Sequence, residues 1–364
     1  MPGRSDRTEE NVKQNQPKYQ KQIKDQKRPE GQNQPTPLYK KTVLVTGGAG
    51  FIGSFLSKRL LEAGCRVIGF DNMNAYYDVS LKEARLCMLQ DFPEYHFVKG
   101  DLADAEAVEA VFEKYGPDIV VNLGAQAGVR YSIDHPRAYM DSNIIGFFNI
   151  LEACRNHPVE HLVFASSSSV YGGNTKVPFA ETDQVDHPVS LYAATKKSNE
   201  LMAYAYGKLY GIPLTGLRFF TVYGPMGRPD MAYFKFALKI MKDEPIQIYN
   251  NGDMYRDFTY IDDIVTGITD ILPVPPKKDE QGVAYKIYNI GNSKPESLMD
   301  FIGVLEHCLG KEARKEFLPM QPGDVYQTYA DVSELKKDFS FQPSTSVEEG
   351  LMQFSKWFLK EYYK

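Results

Sequence analysis

The sequence contains few residues that could form disulfide bonds or bind a metal ion. It has four cysteines and six histidines among 364 residues. The cysteines are widely spaced and form no Cys-x-x-Cys motif, which is typical of free thiols in a reducing cytosol. The histidines do not gather with other ligand types into a recognisable zinc motif. We therefore expect a cytoplasmic protein without a metal site.

The sequence also lacks long apolar runs and an excess of positive charge. No run of 18 apolar residues occurs, so we predict no membrane contact, and the N-terminal segment has no apolar core of a secretory signal. The net charge is −5, but residues 1–41 hold ten Lys/Arg and five Asp/Glu, so the remainder carries −10. This acidic body argues against nucleic acid as the main partner. Residues 1–38 are rich in glutamine and predict a disordered polar tail.

The most informative stretch that is present is a glycine-rich turn between two short apolar segments. Thr42–Val45 predicts a buried strand, a helix follows the turn and ends at Gly64, and Arg66–Phe70 predicts a second strand. The turn carries three glycines at a spacing of three residues: Gly47, Gly50 and Gly53. The dinucleotide-binding fingerprint consists of these parts in order: a strand, this glycine pattern, a helix, a second strand and a terminal acid.

Each glycine of the turn, and the acid after the second strand, has a specific expected role. Gly47 allows the tight turn, Gly50 lets backbone N–H groups approach a pyrophosphate, and Gly53 lets the helix pack closely on the sheet. Asp71 can bind a ribose diol and would repel a 2′-phosphate, so we predict NAD rather than NADP as the cofactor. The alternative is a glycine-rich turn that serves packing alone.

Strands and helices continue to alternate after the turn. Tyr95–Gly100 and Asp118–Asn122 predict two more strands, which favours an α/β fold of the Rossmann type with a doubly wound parallel sheet. Asp101 follows one of these strands and suits either an adenine amine or the cap of the next helix. Further expected cofactor contacts lie in the same loops: Phe51, Ile52, Asn72, Leu102 and Gln126.

A run of four serines follows the apolar stretch His161–Ala165, at the strand edge where open α/β sheets bind ligands. After it, Ser190 can cap a helix to about Leu209 that carries Tyr192 and Lys196 on one face. An ammonium beside a phenol lowers the phenol pKa from about 10 toward neutrality. Such a tyrosine can accept and return the proton of a sugar hydroxyl. Tyr-x-x-x-Lys alone is common on helices, so its meaning depends on the dinucleotide site.

Taken together, these motifs resemble the extended short-chain dehydrogenase/reductases that act on nucleotide sugars. Within that group the chain is most similar to the UDP-glucuronate 4-epimerases, over about residues 41 to 364. Five passages carry this resemblance: 71–78 with 81–86, 126–132, 185–192, 221–230 and 320–325. Met226 departs from the family, in which tryptophan is usual at this position. The difference bears on the local shape of the sugar-side loop and not on the chemistry.

The resemblance implies a mechanism and a set of substrate contacts. Tyr192 would accept the C4 hydroxyl proton with Ser167 bonded to that oxygen, and Lys196 would tune the tyrosine and hold the nicotinamide ribose. The C4 hydride would pass to bound NAD⁺, and the resulting 4-keto sugar would turn and take the hydride back on its other face. The substrate contacts that the resemblance implies are Arg130, Ser168, Ser169, Thr221, Arg228, Arg256 and Asp324. From the sequence alone, Arg256 could equally form a surface salt bridge.

Other chemistries and assemblies remain open at this stage. Dehydratases and decarboxylases of the group carry acids where this chain has Ser168 and Ser169, which favours simple epimerisation of UDP-glucuronate for polysaccharide synthesis. The alternatives are a 4-epimerase of a neutral UDP-hexose and a non-catalytic dinucleotide-binding regulator. By analogy with the family we expect a homodimer.

The predicted division of the chain has three parts. Residues 1–38 form the tail, residues 39–222 the NAD-binding domain, and residues 223–364 mainly a smaller substrate-binding lobe. Weaker periodicity and many aromatic residues and turns mark the second lobe, and part of the segment 255–275 is expected to return to the NAD-binding domain.

Overall fold

The structure is a computed structural model that describes residues 37–320 and 326–364. Residues 38–364 cluster as one compact unit. The predicted tail and Asp324 lie outside the described residues, apart from the last two positions of the tail. Within the described ranges, every helix is too short or too polar to cross a lipid bilayer.

Strands and helices alternate in the order that the sequence predicts for the first half of the chain. The strands are β1 Thr42–Thr46, β2 Arg66–Asp71, β3 Tyr95–Lys99, β4 Ile119–Asn122, β5 His161–Ser167, β6 Leu214–Phe219, β7 Thr221–Tyr223, β8 Ile246–Ile248, β9 Tyr255–Tyr260, β10 Tyr285–Ile290, β11 Pro295–Ser297, β12 Lys315–Phe317 and β13 Gln327–Thr328. The helices are α1 Phe51–Glu62, α2 Val79–Cys87, α3 Ala105–Tyr115, α4 Tyr131–Asp134, α5 Pro136–Tyr139, α6 Gly146–Asn156, α7 Leu191–Tyr210, α8 Ala232–Met241, α9 Ile261–Ile271, α10 Leu298–Leu309, α11 Ser333–Phe339 and α12 Val347–Trp357.

Seven parallel strands form the main sheet in the order β10-β6-β5-β4-β1-β2-β3. The order reverses between β1 and β4, and such a switch point opens a crevice at the carboxyl ends of the strands. The predicted fold class is confirmed. Buried aliphatic and aromatic side chains of the central strands pack against α3, α6 and α7 in one hydrophobic core cluster.

The second half of the chain contributes to more than one layer. Strands β7, β9, β11 and β13 form a small mixed sheet, and β8 pairs with β12. Strand β10 is the edge of the main sheet, and α9 packs against α1 beside the glycine turn. The boundaries proposed from the sequence for the two lobes stay a prediction.

The helical segment from Pro136 to Asn156 contains a wider turn. Residues Met140–Ile145 form a π-helix between α5 and α6. Wide turns of this kind are frequent at functional sites. This one places Asn143 inside the protein, where it is 1% exposed.

Candidate active site

The glycine turn joins β1 to α1 with very little space around its backbone. Gly47 has φ +67°, which favours glycine, and a Cβ there would lie 2.9 Å from the backbone nitrogen of Gly124. A Cβ on Gly53 would lie 2.2 Å from the carbonyl oxygen of Gly47. Gly50 precedes α1 and no side chain caps this helix end. The free N–H groups of the first turn are therefore available to an anion.

Asp71 lies where β2 ends and is 8% exposed. Its Oδ1 atom accepts hydrogen bonds from the backbone N–H of Met73 at 2.8 Å and from Lys82 Nζ at 3.2 Å. Lys82 also donates to Asn74 Oδ1 at 3.2 Å. Sequence reasoning quoted the segment containing Lys82 but gave this side chain no role. The ion pair fixes the carboxylate through one oxygen and partly offsets its charge, so Asp71 alone does not set the local potential.

Asp101 is held beside the same loop. Its Oδ2 atom accepts from Asn72 Nδ2 at 2.9 Å, and its Oδ1 atom accepts from the backbone N–H of Ala103. The cap of α3 is Asp104, whose side chain accepts from Ala107 N–H. Of the two roles that the sequence left open for Asp101, the helix cap therefore falls to Asp104.

The serine run leaves β5 in a short 3₁₀ turn, residues 168–171, that keeps Ser167 against Tyr192. The Ser167 Oγ atom accepts hydrogen bonds from the backbone N–H and the hydroxyl of Ser169, at 3.2 and 3.0 Å. Ser190 caps α7 by accepting from Ala193 N–H at 3.1 Å, as predicted. The capped first turn fixes the position of Tyr192 relative to the serine strand.

The electrostatics around Tyr192 differ from the expectation based on the Tyr-x-x-x-Lys spacing. Burial raises the pKa of Tyr192, while the hydrogen bond with Ser167 and the charge of Arg228 act in the opposite direction. Lys196 donates to the carbonyl oxygen of Ala165 at 2.8 Å, and burial lowers the pKa of its ammonium group to about 8. The expectation that Lys196 lowers the pKa of Tyr192 was wrong for this structure, because the Lys196 ammonium group is directed at a backbone carbonyl. The cation that acts on Tyr192 here is Arg228.

Arg228 is itself paired with a carboxylate that sequence reasoning missed. Its Nε and Nη2 atoms donate to the two oxygens of Asp230, the first at 3.0 Å. The hydroxyl of Tyr76 donates to Asp230 Oδ2 at 3.2 Å. Asp230 follows Arg228 by two residues in the sequence, but Tyr76 is 154 residues away. Only the fold reveals this three-residue cluster.

Asn143, in the π-helical turn, organises the loop after β4. Its Oδ1 atom accepts from Gln126 N–H at 2.8 Å and its Nδ2 atom donates to the Gln126 carbonyl at 3.0 Å. The Asn143 carbonyl accepts from Asn199 on α7 at 2.7 Å. These bonds connect the predicted cofactor contact Gln126 to the helix that carries Tyr192. No sequence motif predicts this wider turn.

A buried ion pair between β6 and α7 holds the end of the strand that carries the serine run. Arg218 on β6 makes two hydrogen bonds to Glu200 on α7, at 2.8 and 2.9 Å. The Glu200 carboxylate also accepts from Ser166 Oγ at 2.7 Å. Because Ser166 precedes Ser167 and Glu200 follows Lys196 by one helical turn, this pair ties together the two elements that carry the candidate catalytic groups.

These elements surround a cavity of about 270 Å³ at the carboxyl edge of the sheet. Most of the predicted site residues line it: Gly47, Gly50, Phe51, Ile52, Gly53, Asp71, Asn72, Asp101, Leu102, Gln126, Ser167, Tyr192, Lys196 and Arg228. It is also lined by residues that sequence reasoning gave no role: Asn74, Tyr76, Tyr77, Lys82, Ser142 and Met231.

The other predicted substrate contacts do not line this cavity. Ser168 and Ser169 lie in the 3₁₀ turn, Thr221 begins β7, and Arg256 lies on β9 with Nη1 donating to the carbonyl oxygens of Tyr255 and Tyr326. Arg130 precedes α4 and stacks over the ring of Tyr249 with its guanidinium carbon 5.1 Å from the ring centre. Their roles stay predictions, and Asp324 lies outside the described residues.

His157 and His161 have a four-residue spacing that can hold a metal on a helix, but the fold separates their roles. His157 contacts Glu109 at 2.6 Å after the end of α6, whereas His161 begins β5 and contacts Thr215 Oγ1 at 2.8 Å. Among the residues that the structure describes, no three potential ligand side chains gather into a metal site.

The fold and the cavity define a class of protein. The sheet is doubly wound and has the glycine turn at its switch point. A tyrosine and a serine hydroxyl lie beside that turn. This arrangement is typical of dinucleotide-dependent enzymes that act on hydroxyl groups. The profile of the NAD dependent epimerase/dehydratase family matches residues 43–291. The chain belongs to this family.

Individual relatives narrow the similarity further. Protein CapI of Staphylococcus aureus is 53% identical over 333 residues, which cover 88% of this chain and 99% of the relative. A probable UDP-glucuronate 4-epimerase of Rhizobium meliloti is 46% identical over 331 residues, with 88% and 97% covered. A UDP-glucuronic acid 4-epimerase from Bacillus cereus, solved in complex with UDP-glucuronic acid and NAD, is 33% identical with a TM-score of 0.81 and is matched over 88% of this chain and 100% of its own. The resemblance stated from the sequence is confirmed.

Proposed function

We propose that this protein interconverts UDP-glucuronate and UDP-galacturonate by epimerisation at C4, with NAD as a resident cofactor. The observation that carries the proposal is the meeting of Ser167, Tyr192 and Arg228 around one cavity beside the glycine turn. Relatives named for this reaction are 46% identical to the chain over 331 and 334 aligned residues. The cavity thus combines a site for a dinucleotide, a base for a hydroxyl proton and a cation for a carboxylate.

The residues of the cavity fit a dinucleotide. The turn at Gly47, Gly50 and Gly53 leaves no room for side chains and directs the first N–H groups of α1 at an anion, which suits a pyrophosphate. Asp71 keeps Oδ2 outside its bonds to Met73 and Lys82, and a ribose hydroxyl can donate to that oxygen. NAD bound here would supply the acceptor and donor of hydride at C4.

The acid–base step depends on residues of the chain itself. Tyr192 accepts the proton of the C4 hydroxyl and returns it after the sugar has turned, and Ser167 holds the same oxygen. The Arg228 charge and the Ser167 hydrogen bond favour the phenolate against the effect of burial. Lys196 lies one helical turn from Tyr192 and, with a pKa of about 8, can gain or lose a proton near neutral pH.

The residue types at positions 168 and 169 support epimerisation over elimination or loss of CO₂. Ser168 and Ser169 occupy the positions at which the dehydratases and decarboxylases of the group carry acids, and a serine hydroxyl is too weak a base for C5. The carboxylate of a 4-keto uronic acid leaves readily unless fixed dipoles hold it. Arg228, Ser168, Ser169 and Thr221 are the groups that we assign to this task.

A neutral UDP-hexose remains the second candidate substrate, and one observation favours it. Arg228 and Asp230 form a pair without net charge, so the cavity does not demand an anionic sugar. A UDP-glucose 4-epimerase of Thermotoga maritima, solved with UDP-glucose, is 30% identical with a TM-score of 0.78. The two substrates differ only at C6, where Arg228 would decide between them.

The test of the proposed function uses the purified full chain and both substrates. UDP-glucuronate and UDP-glucose are incubated separately, and the products are identified by NMR. We expect an equilibrium mixture of UDP-glucuronate and UDP-galacturonate, without loss of water and with little UDP-pentose, and a much lower kcat/KM for UDP-glucose. Efficient turnover of UDP-glucose with none of UDP-glucuronate would replace the first candidate by the second.

We also propose that the protein is a homodimer. The surface of the segment 140–156 and of α7 carries several large apolar side chains that are between 39% and 61% exposed, among them Met140, Ile145, Phe148 and Leu201. These two helical segments pack against each other, so their exposed apolar side chains belong to neighbouring elements. A second copy of the same face is the partner that would cover them.

A further inference from the structure

The Asp230 carboxylate occupies one defined edge of the Arg228 guanidinium. It accepts from Nε at 3.0 Å and from Nη2, which together form the side edge of the planar group. The edge formed by Nη1 and Nη2 lies outside this pair. A planar guanidinium can bind one carboxylate at each edge, so Asp230 leaves the second edge for another carboxylate and also determines the plane in which that edge lies.

One further side chain, Tyr76, fixes Asp230 and thereby Arg228. The Tyr76 hydroxyl donates to the same Oδ2 atom that accepts from Arg228, and burial together with Asp230 raises the pKa of Tyr76 to about 12, so this hydroxyl remains a donor at neutral pH. The ring of Tyr76 packs edge-on against Tyr131, 4.7 Å between centres. Arg228 and Asp230 are both only about one quarter exposed, at 25% and 23%.

The backbone of the same loop is held from the other side by a fully buried arginine. Arg85 donates to the carbonyl oxygen of Met226 from Nε at 3.0 Å and from Nη2 at 2.7 Å, and to that of Gly227 at 3.2 Å. Its Nη1 atom reaches the Ala49 carbonyl in the glycine turn at 3.2 Å. With the loop backbone fixed immediately before Arg228, the remaining freedom lies in the Arg228 side chain, which is what Asp230 restrains.

We propose that Asp230 is a positioning residue that orients the Nη1–Nη2 edge of Arg228 toward the carboxylate of the sugar and so determines the preference for uronates and the retention of CO₂. The inference rests on the proposed function. Asp230 touches neither substrate nor cofactor in this proposal and acts through Arg228. Because it also neutralises Arg228, its removal has two opposite effects: the guanidinium gains net charge but loses its fixed orientation.

The amount of CO₂ released per epimerisation can be measured, and the charge and the orientation of Arg228 affect it differently. In the 4-keto intermediate, cleavage of the C5–C6 bond leaves its electron pair at C5 as an enolate with the C4 carbonyl, CO₂ departs, and one proton is added at C5. This cleavage requires the C6 carboxylate to rotate out of the ring plane and to lose its hydrogen bonds. A correctly oriented bidentate donor opposes the rotation, whereas a mobile cation attracts the carboxylate without fixing it.

The test compares Asp230→Asn with the wild type on UDP-glucuronate labelled with ¹³C at C6 and on UDP-glucose. Asparagine keeps the shape and one acceptor but removes the charge-assisted pair. We expect kcat/KM for UDP-glucuronate to fall about 10-fold or more, the value for UDP-glucose to change less than about 3-fold, and the labelled CO₂ released per epimerisation to rise. An unchanged or increased kcat/KM for UDP-glucuronate, without extra CO₂, would overturn the proposal.

Two further variants separate positioning from general damage. Glu334→Gln removes the acid of an ion pair with Lys286 outside the cavity, and we expect its activity on both substrates and its CO₂ release to equal the wild type. Tyr76→Phe removes one donor to Asp230 and should change the substrate preference in the same direction as Asp230→Asn, by a smaller factor. Equal losses on both substrates in Asp230→Asn would also reject the inference. If the wild type epimerises neither substrate, the proposed function itself fails.

Discussion

The hydroxyl of Tyr192 is the single group whose removal should affect turnover most. Tyr192→Phe keeps the ring against Tyr139, 6.0 Å between centres, so we expect the fold and bound NAD to persist. Loss of the proton acceptor should reduce kcat by at least about 10²-fold, which is the scale of general-base catalysis. The measurement is the rate of UDP-galacturonate formation, with NAD content determined after denaturation. Near wild-type turnover would remove Tyr192 from the mechanism.

At the level of residues, the sequence predicted the identity of the candidate catalytic groups better than their partners. Tyr192 and Lys196 share a helix face by spacing alone, whereas the choice of Ser167 within the serine run came from the resemblance to the epimerases. The hydrogen bond of Lys196 to the Ala165 carbonyl could not be predicted, because it depends on how α7 packs on β5. The same holds for Tyr76, which reaches Asp230 only through the fold.

Among the secondary-structure elements, the first turn of α1 should tolerate a methyl group least. In Gly53→Ala the new Cβ would lie 2.2 Å from the Gly47 carbonyl oxygen, so the glycine turn must move and the N–H groups of α1 lose their position. We expect the dissociation constant of NAD to rise at least about 10-fold, as measured by titration calorimetry on protein stripped of nucleotide.

Gly303→Ala is the matched control for this substitution. Gly303 is exposed on α10, and a Cβ there would meet nothing within 4 Å. Alanine is the better helix former by up to about 1 kcal/mol, so we expect equal or slightly higher stability and unchanged NAD affinity. If Gly53→Ala bound NAD as tightly as Gly303→Ala, the close packing of the turn would not serve the dinucleotide.

Helices with clear capping signals were predicted almost to the residue, whereas irregular turns were not. The helix expected from Ser190 to about Leu209 is α7, with Ser190 as its cap and Gly211 in the left-handed region at φ +71°. The π-helical turn that contains Asn143 has no such signal, because its wider hydrogen bonding comes from packing against Gln126 and α7. The addition of β10 to the main sheet likewise depends on a crossover that local patterns do not encode.

For the whole molecule, a buried histidine predicts how stability depends on pH. His161 is 0% exposed, contacts Thr215 Oγ1 at 2.8 Å and the Leu272 carbonyl at 3.1 Å, and burial lowers its pKa from 6.5 to about 4. The folded-state pKa is depressed, so the stability that this group contributes is fully present above pH 6.5 and is lost as the pH falls toward 4. The loss between pH 7 and pH 5 should be about 2 kcal/mol.

His161→Gln isolates this contribution from those of the carboxylates. Glutamine offers a donor NH₂ group and an acceptor oxygen but does not titrate in this range. We expect the free energy of unfolding, measured in urea at pH 7 and pH 5, to fall about 2 kcal/mol more in the wild type than in the variant. An identical pH dependence in both proteins would mean that His161 is not buried as a neutral ring.

The proposed homodimer is tested at the exposed apolar face of the segment 140–156 and α7. A stable interface buries roughly 1,200–2,000 Å² in total, and charged residues are depleted at its centre. We therefore expect the double variant Phe148→Glu with Leu201→Glu to place acids where two copies meet and to sediment as a monomer, whereas the wild type sediments as a dimer. Val274→Glu is the control, because Val274 is 54% exposed but lies outside this face; this variant should remain dimeric. A monomeric wild type would reject the dimer, and a double variant that stays dimeric would place the interface elsewhere.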